Sequence, residues 1–363
     1  MKDLIAFCKD KGFVFPGSEL YGGLKAAYDF GPLGVELKNN IKKEWWRYFV
    51  QEHGGIGMDG GVMLCPKILE AVGYNKFSDD MFLVGNDSIL RPGTSGSQLP
   101  NFLNFKRSMR LGLPFSICQI GRVFRNEKNA RGFIFRMREF EQMTLQHLCT
   151  KDQAKPAYEF YKDFAWKFLT ERLGLDSDKM RFAPHEKPPH YAVAGIDIEY
   201  NYSFGWGEIT GIHNRSDYDL TLHEEKSGQS MKVDGAIPHV VDCCSGLERV
   251  MLAVLEQAYD GEIFNIKSSL APYKVAVLPV KKKLSHKAKE ICSMLRQHFV
   301  VTYDETESMQ KRYVRQDEIG TPICVVVDFE DDKKVGLRLR GEDTQRRIAI
   351  AELVEVINDH CKA

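Results

Sequence analysis

Apolar residues at helical spacing first appear between Gly34 and Val50. Leu37, Ile41, Trp45, Tyr48 and Phe49 follow one another largely at intervals of three and four, with Lys38, Lys42, Lys43 and Glu44 between them. That stripe predicts a half-buried helix, and the turn-like Phe30-Gly31-Pro32-Leu33-Gly34 sets its start. Farther along, the period shortens to that of strands. Phe115–Phe124 reads as one strand, through Phe115, Ile117, Ile120 and Val123, and Phe133–Leu148 as another. In the second, Phe140, Gln142, Thr144 and Gln146 share a face, while Glu141, Met143, Leu145 and His147 share the opposite one. Ile196–Tyr202, Gly207–Ile212 and His239–Cys244 predict further strands, and Lys155–Leu173 and Ser245–Tyr259 predict helices. Between Ser88 and Gln98 the crowding of Pro92, Gly93, Ser95, Gly96 and Ser97 predicts a loop, with Gly93–Ser97 of linker composition. Hairpin-like strands with helices between them predict an α+β fold on an antiparallel sheet.

The pattern changes around Ser268–Pro272. Beyond it, strands at Lys274–Val280, Val300–Tyr303, Ile323–Phe329 and Val335–Leu339 mix with helices at Ser285–Phe299 and Arg347–His360, predicting a small α/β domain. The expected domains are residues 1–268 and 272–363, as a length of 363 residues suggests. With 43% hydrophobic and 28% charged residues, the chain can bury a core and is not a disordered polymer. No apolar run reaches the roughly 18 residues of a membrane span, and Met1–Phe13 has no apolar leader, so no membrane partner is expected. Lys plus Arg and Asp plus Glu both number 50, which excludes a wholesale polycation but not a local nucleic-acid face. The second domain, from Ala271, has 17 Lys and Arg against 15 Asp and Glu; Lys281–Lys283 and Arg338, Arg340, Arg346 and Arg347 are its candidate phosphate-binding patches. The nine cysteines are odd in number and include no C-x-x-C, which argues against a disulfide framework and for a reducing cytoplasm. Cys243, Cys244 and His147 raise the question of zinc, against which buried thiols are the ordinary state.

The residues richest in chemistry begin at Phe124-Arg125-Asn126-Glu127. A basic loop, Lys128 to Gly132, follows, and then Arg136 and Arg138-Glu139-Phe140. Two strands joined in this way can serve a nucleotide. An Arg at the end of the first strand clamps a phosphate, a nearby Glu accepts from an exocyclic amine, and a Phe on the returning strand stacks on the base. Downstream, Ser245-Gly246-Leu247-Glu248-Arg249 opens a helix after a strand and offers a second phosphate-binding Arg. Glu208, on its own strand, is a candidate Mg2+ ligand beside a polyphosphate.

In this order the segments resemble the class II aminoacyl-tRNA synthetases, and among them the dimeric glycyl-tRNA synthetases. Gly12-Phe13-Val14-Phe15-Pro16, Glu19-Leu20-Tyr21-Gly22-Gly23 and Tyr28–Lys38 resemble the approach to the family's first motif, Phe124–Phe140 the second and Gly246–Arg249 the third. Gly205-Trp206-Gly207-Glu208, Asn214–Leu220 and Tyr313–Pro322 are also similar to family text. The resemblance implies a ligase that forms aminoacyl-AMP from ATP and an amino acid and passes the aminoacyl group to tRNA, acting as a cytoplasmic homodimer. It implies Arg125 on the α-phosphate, Glu127 on the adenine amine, Phe140 on the adenine face and Arg249 on the γ-phosphate. Glu208 would be the Mg2+-linked acid, and Arg215 would meet the amino-acid carboxylate. Arg315, Asp317 and Glu318 would belong to the tRNA-binding domain.

The departures from the family pattern fall on one kind of position. Leu90-Arg91-Pro92 is followed by Gly93 where the family has an acid, and Thr144 and Gln146 replace two acids of the returning strand. Asp242-Cys243-Cys244 replaces Glu-Pro-Ser, with Asp242 and Cys244 on one strand face. If Thr144, Gln146, Asp242 and Cys244 line the amino-acid pocket, its negative charge is much reduced, and a buried ammonium without acceptors is costly. Three readings stay open. One is a glycine–tRNA ligase. A second is a paralogue that adenylates another small amino acid or charges a non-tRNA acceptor. A third is a non-catalytic, synthetase-like nucleic-acid-binding protein.

Overall fold

The computed structural model describes residues 1–73, 81–128 and 131–362. By compactness the chain divides into two units, one of residues 1–15, 29–40 and 254–363 and one of residues 16–28 and 41–253.

The second of these is built on a seven-stranded sheet. Its strands are β1 (Ile56–Met58), β2 (Phe115–Phe124), β3 (Glu139–Cys149), β4 (Met180–Pro184), β5 (Ala194–Tyr202), β6 (Gly205–Ser216) and β7 (His239–Gly246), in the order β1-β2-β3-β7-β6-β5-β4. Only the β1–β2 pair is parallel; every other pair is antiparallel. The α+β, antiparallel expectation holds. The side chains at alternate positions explain which face is dry. Met143, Leu145 and Cys243 are buried, and helix α2 (Lys151–Lys167) packs along β3, β6 and β7. Thr150 and Gln153 cap α2 reciprocally, which satisfies donors at its first turn. The helix foreseen from Gly34 is α1 (Pro32–Trp46), and a wider π turn continues it through Arg47–Glu52. Trp45 and Phe49 are buried and stacked at 4.6 Å between ring centroids.

Two local expectations are corrected. Phe133–Leu148 is not one strand: Phe133–Phe135 form a tight turn and β3 starts at Glu139. All three aromatic and aliphatic side chains of that turn are buried, so their apolar run marks a packed corner and not a strand. Ser88–Gln98 is not a loop: Ser88–Leu90 is a strand and Ser95–Gln98 a short helix. The reason is hydrogen bonding. Arg91, 1% exposed, donates to the carbonyls of Arg122, Gly60 and Gly61 and to Ser97 Oγ. Gln98 reaches the carbonyls of Ile117 and Thr144. The linker-like composition therefore belongs to a tightly bonded segment, in which small residues fit against the sheet.

The other unit holds a five-stranded sheet of β8 (Val275–Pro279), β9 (Val301–Tyr303), β10 (Ile323–Val327), β11 (Lys334–Leu339) and β12 (Arg346–Ala349), in the order β9-β8-β10-β11-β12. Its core includes Val275, Val277, Ile291, Leu295, Val325 and Leu337. The proposed arginine patch on it is corrected in part. Arg338 is 6% exposed and pairs bidentately with Asp317 at 2.7 and 2.8 Å. Arg340 donates to the carbonyls of Gly320 and Ile266. These two arginines close the fold; Lys281, Lys282 and Lys283 are exposed.

His147 supplies a pH test of the larger sheet. It bonds Ser116 Oγ at 2.9 Å and Tyr161 Oη at 3.1 Å. Burial, and then the neighbouring His53, lower its pKa from 6.5 to about 4. The unfolded chain therefore takes up this proton first, and stability is lost as pH falls from 6.5 towards 4. Urea unfolding across that window should show a loss of up to about 1.4 kcal/mol per pH unit from this group, and His147→Gln should flatten it by a similar amount. An unchanged slope in the variant would show that His147 does not titrate in this way.

Candidate active site

The functional face of the seven-stranded sheet is assembled from side chains two apart on neighbouring strands. Gln142, Thr144 and Gln146 come from β3, Asp242 and Cys244 from β7, and Gly211, His213 and Arg215 from β6. Cross-strand pairing sets them in rows. His213 lies opposite Asp242, which lies opposite Gln146, and Gly211 lies opposite Cys244, which lies opposite Thr144. A β-bulge brings Glu208 onto the same face. Ile198 pairs with Thr210 and Glu199 with Glu208, so Ile209 is the extra residue. Without it, Glu208 would sit on the face opposite Gly211, His213 and Arg215. Thr210 instead bonds Ser245 Oγ at 2.7 Å. Together these residues line a cavity of about 530 Å3.

The segment predicted as a loop is one wall of it. Thr94, 1% exposed, donates its backbone N–H to Gln142 Oε1 at 3.1 Å and its hydroxyl to Thr144 Oγ1 at 2.8 Å. Thr144 and Gln146 are buried, and Gln146 Oε1 finds no hydrogen-bond partner among the described residues.

Asp242 is the one predicted pocket acid, and it is fully engaged. Its Oδ1 accepts from the His213 backbone N–H at 3.1 Å and faces His213 Nδ1 at 2.9 Å, and its Oδ2 accepts from Arg215 Nη1 at 3.0 Å. Arg215 in turn donates bidentately to Asp219, at 2.7 and 2.8 Å, and lies 3.9 Å over the Tyr191 ring. Burial pushes Asp242 up, but His213 and Arg215 outweigh it and hold the carboxyl below its usual range. Burial pushes Arg215 down, and Asp219 and Asp242 raise it overall. The group expected to meet a substrate carboxylate is thus held between two carboxylates of its own chain. Cys244 is pushed up to about 12 by burial, which keeps it a thiol. His147, on the other face of β3, takes no part in the cavity.

Arg125 lines this cavity and also a second, narrower cleft beside it. That cleft brings together Arg125, Glu127, Phe135, Phe140, Glu248 and Arg249. Arg125 donates to the Pro92 carbonyl at 2.9 Å and sits 5.3 Å over the Phe140 ring. Arg249 sits 4.4 Å over Phe135 and donates to the Phe135 carbonyl and to Glu208, both carbonyl and carboxylate. Burial pushes Glu208 up, but Arg249 and then Arg125 hold it below the usual carboxylate range. Glu127 accepts from Arg136 Nη1 at 3.1 Å. Two guanidinium groups, an aromatic face and carboxylates in one cleft can bind a nucleoside polyphosphate and its hard cation. Glu208 is the oxygen donor that suits Mg2+. Residues 129 and 130 of the basic loop lie outside the described residues.

The three residues expected to meet tRNA are placed elsewhere and are engaged internally. Arg315 pairs with Asp304 and Glu307, Asp317 with Arg338, and Glu318 with Lys11 at 2.9 Å. Sequence reasoning missed His185, Asp197, Tyr191 and His213. The signal for His213 was present: continuing the Gly207–Ile212 strand by four residues, as the structure does, sets it beside Arg215.

Comparison with known proteins adds the following. A family model described as the tRNA synthetase class II core domain (G, H, P, S and T) matches residues 85–258. A second, described as an anticodon binding domain, matches residues 274–360. Among curated relatives, a glycine–tRNA ligase of Geobacillus thermodenitrificans is 37% identical, covering 97% of this chain and 96% of that protein. One from Staphylococcus aureus is 36% identical over 100% of this chain and 99% of its own. Prolyl-tRNA synthetases of Cryptosporidium parvum and Giardia lamblia share the fold, each with a TM-score of 0.76. They cover 99% of this chain and 77% and 78% of their own, at 14% and 18% identity.

The engaged Asp242 makes a stability prediction. Arg215→Met strands two buried carboxylates, and urea unfolding at pH 7 should show a loss of about 3–5 kcal/mol. Adding Asp219→Asn should recover part of it. A loss below about 1 kcal/mol would contradict the pairing.

Proposed function

The chain belongs to the glycine–tRNA ligase family of class II aminoacyl-tRNA synthetases, and from that premise we infer that it is an aminoacyl-tRNA ligase of the glycine type. Its substrates in this reading are ATP, a small amino acid and tRNA. The amino-acid carboxylate attacks the α-phosphorus of ATP, and the bond to the pyrophosphate oxygen breaks. The products are aminoacyl-AMP and pyrophosphate. A terminal ribose hydroxyl of tRNA then attacks the aminoacyl carbonyl, and AMP leaves. No covalent bond to the protein is needed; positioning and charge stabilisation lower the barrier.

Arg125 binds the α-phosphate in this reading, and Arg249 the γ-phosphate. Phe140 takes the adenine face and Glu127 its exocyclic amine. The observation that supports it best is the convergence of Arg125, from the second motif, and Arg249, from the third, on one cleft over aromatic rings. Each guanidinium now rests on carbonyl or carboxylate oxygens, acceptors that phosphate oxygens would replace. Mg2+, held by the phosphates and by Glu208, would neutralise charge on the departing pyrophosphate. Residues 1–268 serve as the catalytic domain and 272–363 as the tRNA-binding domain, with α1 at the interface of a homodimer. Cytoplasmic placement accords with nine free cysteines and with the lack, among the described residues, of a helix long and apolar enough to cross a membrane.

One observation favours a second reading, a different small amino acid as substrate. Positions 93, 144 and 146 carry no acid, and Asp242 is consumed by His213 and Arg215.

ATP–pyrophosphate exchange across a panel of small amino acids tests both. Exchange is expected with glycine, or with another small amino acid under the second reading. No exchange with any of them would contradict both readings. Arg125→Ala should cost about 100-fold or more in exchange, with Phe140→Ala raising KM for ATP more than it lowers kcat. An unchanged rate in Arg125→Ala would remove the phosphate clamp.

A further inference from the structure

We propose that His185, Asp197 and His213 form a binding site for one divalent transition-metal ion of the zinc class, with an open position that takes the substrate amine. The three side chains each offer one ligand atom, and these atoms lie within 4.8 Å of one another. Tetrahedral zinc with bonds of about 2.0–2.1 Å sets its donors about 3.3 Å apart, so small side-chain rotations close the site. Asp197 already stands 2.9 Å from His185 Nε2.

The sheet builds this arrangement. Asp197 lies on β5 opposite Gly211, and His213 lies on β6 opposite Gly195. His185 follows the end of β4 and donates its backbone N–H to the Gly195 carbonyl at 3.0 Å. The two glycines leave the floor clear. A Cβ at position 195 would come within 2.7 Å of His185 Nδ1 and 2.9 Å of His213 Cδ2. One at 211 would come within 3.0 Å of His213 Cε1 and 3.2 Å of Asp197 Oδ1.

The outer contacts are those of a ligating histidine. His213 Nδ1 faces Asp242 Oδ1 at 2.9 Å, which leaves Nε2 to offer its lone pair. A carboxylate behind a histidine in this way fixes its tautomer and strengthens it as a ligand. Two imidazoles and one carboxylate suit zinc and its neighbours, while Mg2+ and Ca2+ prefer all-oxygen sites. Three protein ligands leave a position for substrate.

The site would also answer the missing acids. An amino-acid ammonium gives its proton to solvent and binds the metal as a neutral amine, so no carboxylates at 93, 144 and 146 are needed. This last step rests on the synthetase reading; the metal site does not.

The test uses the full chain, stripped with a chelator, reloaded with zinc or cobalt(II) and dialysed. Elemental analysis should find about one zinc per chain, unchanged in Cys243→Ser and Cys244→Ser. His185→Gln and His213→Gln should each fall below about a tenth of an equivalent, with metal-free melting curves like that of the parent protein. Two variants from different segments of the chain keep the test alive if one fails to fold. The cobalt form should show a visible band that shifts when the substrate amino acid is added without ATP. Zinc absent from the parent protein, retained in both histidine variants, or lost in the cysteine variants would overturn the site. A band that no small amino acid moves would overturn the amine contact. Metal bound with no ATP–pyrophosphate exchange would uphold the site and contradict the synthetase reading instead.

Discussion

Arg215 lying between Asp219 and Asp242, almost out of reach of water, is the contact around which the amino-acid end of the cavity is organised. A guanidinium at this depth is tolerable only because both neighbours are carboxylates, Asp219 in a bidentate pair and Asp242 through a single hydrogen bond. That arrangement ties the start of helix α3 (Tyr218–Ser227) to β6 and β7. It also consumes Asp242. The remaining oxygen of Asp242 orients His213, which turns its other nitrogen towards His185 and Asp197. One ion network therefore decides both what the cavity has lost as an anionic pocket and what it has gained as a set of imidazole and carboxylate donors.

The nucleotide end follows a different logic. Arg125 and Arg249 are not buried among carboxylates. They lie over aromatic faces and hold mainly carbonyl oxygens. Such contacts are weak beside a polyphosphate, so the groups are available to a ligand in a way that Arg215 is not. Glu208, placed by the bulge at Ile209, joins the two ends: it pairs with Arg249 and lines the same cavity as Asp197.

Much of this was legible in the amino-acid order. Period-two alternation set Gln142, Thr144 and Gln146 on one face, and the structure has all three lining the cavity. The class of fold followed from the strand and helix pattern. What could not be read were features that depend on distant partners. Arg91 bonds carbonyls from three other residues, so Gly93–Ser97 looked like a linker. The bulge at Ile209 changes which side chains share a face, and a strict alternation misplaces Glu208 against Gly211. His185 and Asp197 are ordinary polar residues until cross-strand register brings them to His213. Arg338 and Asp317, read as features of a tRNA-facing surface, turn out to pair with each other, half-buried.

A crystal structure of the full chain with a non-hydrolysable ATP analogue tests the central claim most directly. It should show adenine against Phe140, with the phosphates spanning Arg125 and Arg249 and the Arg249–Glu208 contact loosened. A nucleotide bound elsewhere, or with its phosphates touching only one of the two arginines, would contradict the account.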